Sequence, residues 1–269
     1  MRTMLARIAL TLSLLVPVWF MAAALGTKFG LWSWRVGLGV MIVQWGPRIL
    51  IGTAILGLVA LIVTLARAPR TGWRAALVAL LIPLVGLGYL FWVRGQSADI
   101  PPIHDVATNI DDPPTYSPAL LTAREGAGAN PVAQLSAPIT SLPAYQGPRF
   151  APLQGKTLGQ VGREAYPEVR TLTVAATPAD AFAAAQAEVE AQGWTLVGAE
   201  PATGAIEATA ETFWFGFKDD VAVRVRPAPD GGSLIDMRST SRVGLGDLGA
   251  NAARIEEYLD DVEERLGED

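Results

Sequence analysis

Predominantly apolar residues run from Leu5 to Leu25, again from Ile49 to Ala66, and a third time from Trp73 to Val93. Each run is close to the ~20 residues that an α-helix needs to cross a ~30 Å hydrocarbon core, so three membrane-spanning helices are predicted. Pro17 is tolerated in the first because neighbouring helices can satisfy the carbonyl it frees. Trp73, Tyr89 and Trp92 lie near the ends of the third, where amphipathic rings prefer the headgroup layer. Arg2, the first apolar run and Met21–Ala24 also fit the pattern of a cleaved leader, but two further spans close behind favour an uncleaved helix. Phe29 to Trp45 is apolar but interrupted by Arg35, and Gly46-Pro47-Arg48 leaves too little chain for a tight hairpin. That segment therefore reads as interfacial, re-entrant, or an extension of the second helix, and not as a fourth crossing.

The pattern changes after Gln96. Eleven of the 19 prolines fall between Gln96 and Arg170, and Gly126-Ala-Gly-Ala-Asn-Pro131 has no apolar period. Pro-rich chain favours extended conformation, so residues 96–165 are expected to form a linker that packs in places on the C-terminal domain, with Tyr116, Tyr145 and Tyr166 as anchors. Residues 166–269 then show alternating and helical periods. Thr171–Ala175 reads as a strand. Thr177-Pro178 opens a helix to about Gln192, a cap residue followed by Pro at the first helical position, and Gly193 ends it. Strands follow at Trp194–Ala199, Ala205–Glu211, Asp220–Arg226 and Ser233–Ser241, the last two joined by Pro229-Asp230-Gly231-Gly232, a hairpin signal. Ile255, Leu259, Val262 and Leu266 give one apolar face to a final helix from about Leu248. The order β-α-β-β-β-β-α predicts an α+β domain, an antiparallel sheet with two helices on one face.

Alternation assigns the faces of that sheet. Ile206, Ala208, Ala210, Val221, Val223, Val225, Ile235 and Met237 point one way, toward the core. Glu207, Thr209, Glu211, Arg224, Arg226, Asp236 and Arg238 point the other way, as a lattice of alternating charges.

Charge sharpens the division. Residues 1–95 hold nine of the 21 Lys/Arg and none of the 26 Asp/Glu, so the remainder carries −14, and the two parts belong in different solvents. Arg2, Arg7, Arg67, Arg70 and Arg74 against Lys28, Arg35, Arg48 and Arg94 predict a cytoplasmic N-terminus and an extracytoplasmic soluble domain, in a bacterial inner membrane; a fourth crossing would reverse this. There is no Cys, and His104 is the only His, which excludes thiolate chemistry and His-cluster metal sites. An acidic soluble part lacks the basic footprint that nucleic acid requires. The bilayer is thus the one implied partner, with a membrane protein or an anionic small molecule beside it, and no cofactor is indicated.

Two stretches carry candidate chemistry. Phe213-Trp214-Phe215-Gly216-Phe217-Lys218-Asp219-Asp220 reads either as a ligand-facing loop or as aromatics closing one end of the core. Arg238-Ser239-Thr240-Ser241-Arg242-Val243-Gly244-Leu245-Gly246-Asp247 is a Gly-rich turn entering a helix, where N–H groups with Arg238, Arg242 and Arg254 could hold a phosphate or carboxylate. The alternative is that Asp247 is a helix cap and the arginines pair with Asp219, Asp220, Glu207 and Asp236. A serine nucleophile at Ser239 or Ser241 lacks a histidine base, and Asp219, Asp220, Asp236 and Asp247 lack the spacing of a known cation loop.

Thr212–Asp220, Asp236–Gly244 and Asp247–Ile255 resemble the domain of unknown function 1499 family. Asn109-Ile-Asp-Asp-Pro-Pro114, Tyr166-Pro167, Gly193-Trp194 and Ile206-Glu207-Ala208 resemble its other landmarks, over about residues 105 to 267. The resemblance implies that the first part of the linker belongs to the domain, and that the protein is membrane-associated. It implies no activity and no catalytic residue. The candidate binding residues are Glu207, Trp214, Phe217, Lys218, Asp219, Asp220, Arg238, Ser241, Arg242, Asp247, Asn251 and Arg254. The expected role is a non-catalytic binding or scaffold module for a protein or anionic small molecule. The alternatives are a hydrolase-like enzyme using Glu207 and Asp220 as acid and base, and a structural support whose charged face is a solvated ion-pair lattice.

Overall fold

The computed structural model describes residues 2–66, 68–98, 100–142 and 145–267; Arg67 of the predicted cytoplasmic cluster lies outside them. The chain divides into two compact units, Met1–Asp99 with Phe213–Gly216, and Ile100–Thr212 with Phe217–Asp269.

Among the described residues, three helices in the first unit are long and apolar enough to cross a membrane: Arg2–Lys28, Arg35–Leu65 and Trp73–Gln96. The second comprises a π-helical stretch, Arg35–Trp45, running directly into an α-helix, Gly46–Leu65. Of the readings open for Phe29–Trp45, the extension of the second helix is the one realised. Its start packs closely on the end of the first helix, α1 (Arg2–Lys28). The indole of Trp32 lies against Gly26, where any Cβ would collide with it, and Trp19 Nε1 donates to the Met41 carbonyl at 3.1 Å. The third helix, α3 (Trp73–Gln96), starts beside the start of α1, as Gly72 lies near Thr3 and Ala6. These two therefore run in the same direction, with α2 (Gly46–Leu65) antiparallel between them. Ala6, Ala9, Ala60, Ala76 and Ala79 are buried together, and at Gly57 the backbone of Leu80 leaves no room for a Cβ. Small residues let helices approach closely where lipid supplies no hydrophobic drive.

The second unit is α+β. Its sheet has six antiparallel strands: β1 (Asp105–Ala107), β2 (Leu172–Val174), β3 (Thr195–Glu200), β4 (Ala205–Glu211), β5 (Lys218–Pro227) and β6 (Ser233–Ser241), in the order β1-β6-β5-β4-β3 with β2 also on β6. The five strands and two helices expected from periodicity are all present. The helices are α6 (Pro178–Ala191), capped by Thr177, and α7 (Ala250–Arg265). Both contribute to a single core, in which Phe182, Ala185, Val189, Ile255, Tyr258 and Val262 meet Ile206, Val221, Val223, Ile235 and Met237.

The difference lies in the Pro-rich stretch. It supplies β1 and two short helices, α4 (Pro118–Gly126) and α5 (Leu158–Ala165). Its Tyr116 and Tyr145 are buried, and Tyr166 packs partly against the core. Ser117 caps α4 and Pro118 follows at its first position, so α4 begins by the same chemistry as α6. α4 lies over the face of the sheet read as a lattice of alternating charges; the charges do alternate and pair there, but the alternative in which that face is solvated is corrected. Asp220, Asp236 and Thr240 are fully buried, and Arg238 is 4% exposed. The physical reason is that each charge on this face finds a partner, so covering it leaves no buried ion uncompensated.

Candidate functional site

Alternation along β5 and β6 divides the predicted residues between the two faces. On the covered outer face, Arg238 forks onto Asp105 of β1, Nε to Oδ1 and Nη2 to Oδ2, each at 2.8 Å, and Nη2 also donates to the Ala133 carbonyl at 2.6 Å. The Thr240 hydroxyl donates to Asp105 Oδ1 at 2.9 Å, and the Ala133 N–H to Oδ2 at 2.9 Å. Asp220 accepts from Arg242 Nε at 2.8 Å and Nη2 at 2.7 Å, from the Thr209 hydroxyl at 2.8 Å, and from Arg124 of α4. The Tyr116 ring lies beside both Arg124 and Arg238, 5.7 and 5.9 Å from its centroid, within reach of a cation–π contact to each guanidinium group. Its hydroxyl donates toward the Asp220 carbonyl at 2.7 Å. Further along the same face Asp236 accepts from Thr171, Arg224 and Arg226. Glu207 accepts from both the N–H and the hydroxyl of Ser117, so it fixes the residue that caps α4.

The inner face carries a second node at the start of α7. Arg254 donates to Asp219 at 2.7 Å, to Asn251 Oδ1 at 2.7 Å and to the Ser239 hydroxyl at 3.0 Å. The buried Asn251 amide donates to Ser241 Oγ at 2.9 Å and to the His104 carbonyl at 3.2 Å. Asp247 accepts the N–H groups of Gly249 at 2.9 Å and Asn251 at 2.8 Å, the donors that an anion at this helix start would have used. The three arginines predicted to hold an anion are thus each committed to a carboxylate of the fold. Asp105 and Arg124 were not among the predicted residues, and Tyr116 was expected only as an anchor of the linker. No local motif marks them, although Ser117-Pro118 announces the helix that delivers Arg124.

Electrostatics follow from this geometry. Burial alone would raise Asp220 and Asp236. Hydrogen bonds from Arg242 and Thr209 to the first, and from Thr171, Arg224 and Arg226 to the second, hold both below the ordinary carboxylate value. Asp220 is therefore a fixed anion and not a proton donor. Burial lifts Asp247, and the bonds from Asn251 and Gly249 only partly offset it. A depressed carboxylate stabilises the fold above its unfolded pKa, and that contribution is lost as pH falls toward the folded one. The unit should therefore lose stability below about pH 3.8, and an Asp236→Asn variant should show a flatter acid limb in pH-dependent melts. Asp247 has the opposite sign. Its stabilising form is protonated, so Asp247→Asn should remove a loss of stability that begins as pH rises above 3.8.

The predicted aromatic stretch behaves differently. Thr212 N–H donates to the Phe217 carbonyl at 2.8 Å, Phe217 N–H returns to Thr212 Oγ1 at 2.9 Å, and Gly216 takes a left-handed φ of 64°. This closed loop holds Phe213 and Trp214 edge-to-face, 5.2 Å apart, and 72% and 53% exposed. They do not close the core. Phe217 is partly buried at the base of the loop, and Lys218 Nζ lies 4.0 Å from Glu211 in a half-exposed pair.

Among the described residues, nothing in the second unit encloses a small molecule at the predicted positions. The void beside Asp105 measures about 10 Å³, room for one water at most. A groove of about 510 Å³ between β2 and α7, lined by Glu168, Glu256 and Asp260, touches none of them. Among the described residues no three His, Asp or Glu side chains are placed to hold a metal ion.

No curated protein and no solved structure matches the chain. The family described as protein of unknown function (DUF1499) matches residues 105–262, more than half of the chain. The match begins at Asp105, the partner of Arg238, and ends in α7 at Val262, so it takes in every side chain of both polar networks: the chain belongs to the DUF1499 family.

Proposed function

We propose that this protein is a membrane-anchored, non-catalytic binding module, and that its contact surface is the aromatic loop between β4 and β5, meeting a protein partner at the membrane. One observation carries the reading: a backbone-pinned loop leaves Phe213 and Trp214 largely exposed, with Lys28 Nζ 4.9 Å from the Phe213 centroid, while the charges around it are engaged within the fold. Rigid exposed aromatics supply contact area at little entropic cost, which is why such residues dominate binding hot spots. Recognition of an anionic small molecule has less support, because Arg238, Arg242 and Arg254 are held by Asp105, Asp220 and Asp219. An acid–base pair of Glu207 and Asp220 has less again, since Asp220 is clamped as an anion. The apolar helices and the basic residues near their ends support an anchor in a bacterial inner membrane with the soluble unit outside the cytoplasm.

Photo-crosslinking from position 214 in the full-length protein in native membranes tests this. A discrete, saturable adduct is expected from 214 and not from the exposed hairpin position 230. Phe213→Asp should reduce the adduct at least tenfold while the melting temperature stays within about 2 °C, since exposed substitutions cost little. Equal labelling from both positions, or an adduct indifferent to Phe213→Asp, would remove the loop from the contact surface.

A further inference from the structure

The three apolar helices are packed unequally along their length. At the end holding Ala6, Ala60 and Ala76 they are sealed by small residues. Toward the other end they part around a groove of about 700 Å³, within the ~300–1,000 Å³ range of small-molecule sites. Its walls are Val16, Phe20 and Met21 of α1, Leu50 of α2, and the face of α3 that carries Leu81, Ile82, Val85, Gly86, Tyr89 and Leu90. Pro17 lies in its wall and Pro83 in the α3 segment beside it. Each removes one bond from its helical ladder where the helices part. Gly86 faces Leu50, the side chain a Cβ there would meet.

We propose that this groove holds one acyl chain of a phospholipid with an anionic headgroup. Three observations select that occupant. The walls are apolar apart from Tyr89 and lie on helices that fit a bilayer, so hydrocarbon fills the space more favourably than water. Leu81 to Leu90 rises about 13 Å along α3, close to the ~15 Å depth of one leaflet. Arg48 stands two residues before Leu50 of the groove wall and Arg94 four residues after Leu90, both exposed, and residues 1–95 hold no acid, so within this unit the lipid's phosphate would meet positive charge. Tyr89 and Trp92, stacked 5.8 Å apart, mark the headgroup level on the same helix.

The test is native mass spectrometry of the full-length chain taken from nanodiscs of equimolar phosphatidylglycerol and phosphatidylcholine. Wild type should retain one lipid, mainly phosphatidylglycerol. Ile82→Trp, placed to fill the groove, should lower retention at least tenfold, whereas Leu84→Trp on the exposed side of α3 should not. Arg48→Gln with Arg94→Gln should keep one bound lipid but lose the preference for phosphatidylglycerol, an outcome that does not depend on the tryptophan variant folding. Unchanged retention in Ile82→Trp, equal retention of both lipids by wild type, or a lipid-free dimer would each overturn the proposal.

Discussion

Asp105→Ala should destabilise the soluble unit by about 3–5 kcal/mol, the cost of leaving a buried charge without its partner. Arg238 would keep only carbonyl oxygens, those of Ala133 and Pro114. Thr240 and the Ala133 N–H would lose their acceptor as well. For a unit of this size, about 2–4 °C of melting temperature accompanies each kcal/mol, so a fall on the order of 10 °C is expected in near-UV circular dichroism melts of the detergent-solubilised protein. Asp105→Ala combined with Arg238→Met should recover much of the loss, because an apolar pair can replace a buried ion pair at little cost. A fall below about 1 kcal/mol in the single variant would mean that water reaches Arg238 and that this face is not sealed. A double variant no better than the single would locate the stabilisation in Asp105 alone.

The second large effect concerns the stretch before residue 140. A fragment spanning 100–269 should give a dispersed amide spectrum, and one spanning 140–269 should not, although all five strands expected from periodicity remain in it. The shorter fragment loses Ile103, Val106, Leu135 and Ile139 from the core, and the three residues of β1 that pair with Arg238, Ser239 and Thr240. It also strips α4 from Asp220, taking away Arg124. Arg238 would then lose its carboxylate and Asp220 one of its two arginines, the first alone costing several kcal/mol against the ~5–15 kcal/mol that a whole domain has to spare. A dispersed spectrum from 140–269 would make the N-terminal stretch an accessory and not part of the fold.

The unequal legibility of the two regions has a physical basis. β4, β5 and β6 are each seven or more residues long, so Ile206-Glu207-Ala208 and Val223-Arg224-Val225 show their alternation plainly, and the face assignments follow from it. β1 has three residues, all buried, and three residues cannot display a period. α4 places Leu120 and Arg124 four apart on its buried face, so half of what it buries is a guanidinium, which hydrophobicity patterning assigns to solvent. Thr157 and Gln160 form a capping box, a readable start signal for α5 that proline content overshadowed. Glu207, Asp219, Asp220, Arg238 and Ser241 were legible as polar positions of a sheet. Their partners were not, because pairing across 133 residues, as between Asp105 and Arg238, leaves no trace in local sequence.

That same separation sets a timetable for biosynthesis. Asp105 leaves the ribosome long before Arg238 and Thr240, the residues it must meet, and at roughly 5–20 residues per second the wait is on the order of ten seconds. Through that interval the stretch after the third apolar helix has no sheet edge to join, and α4 has no face to cover. The central hairpin of β5 and β6, closed by Gly231 and Gly232, can form as soon as it emerges. The Pro-rich stretch can dock only afterwards, and because such non-local closure is intrinsically slow, the nascent unit depends on whatever keeps its arginines and open strand edge solvated until the chain is complete.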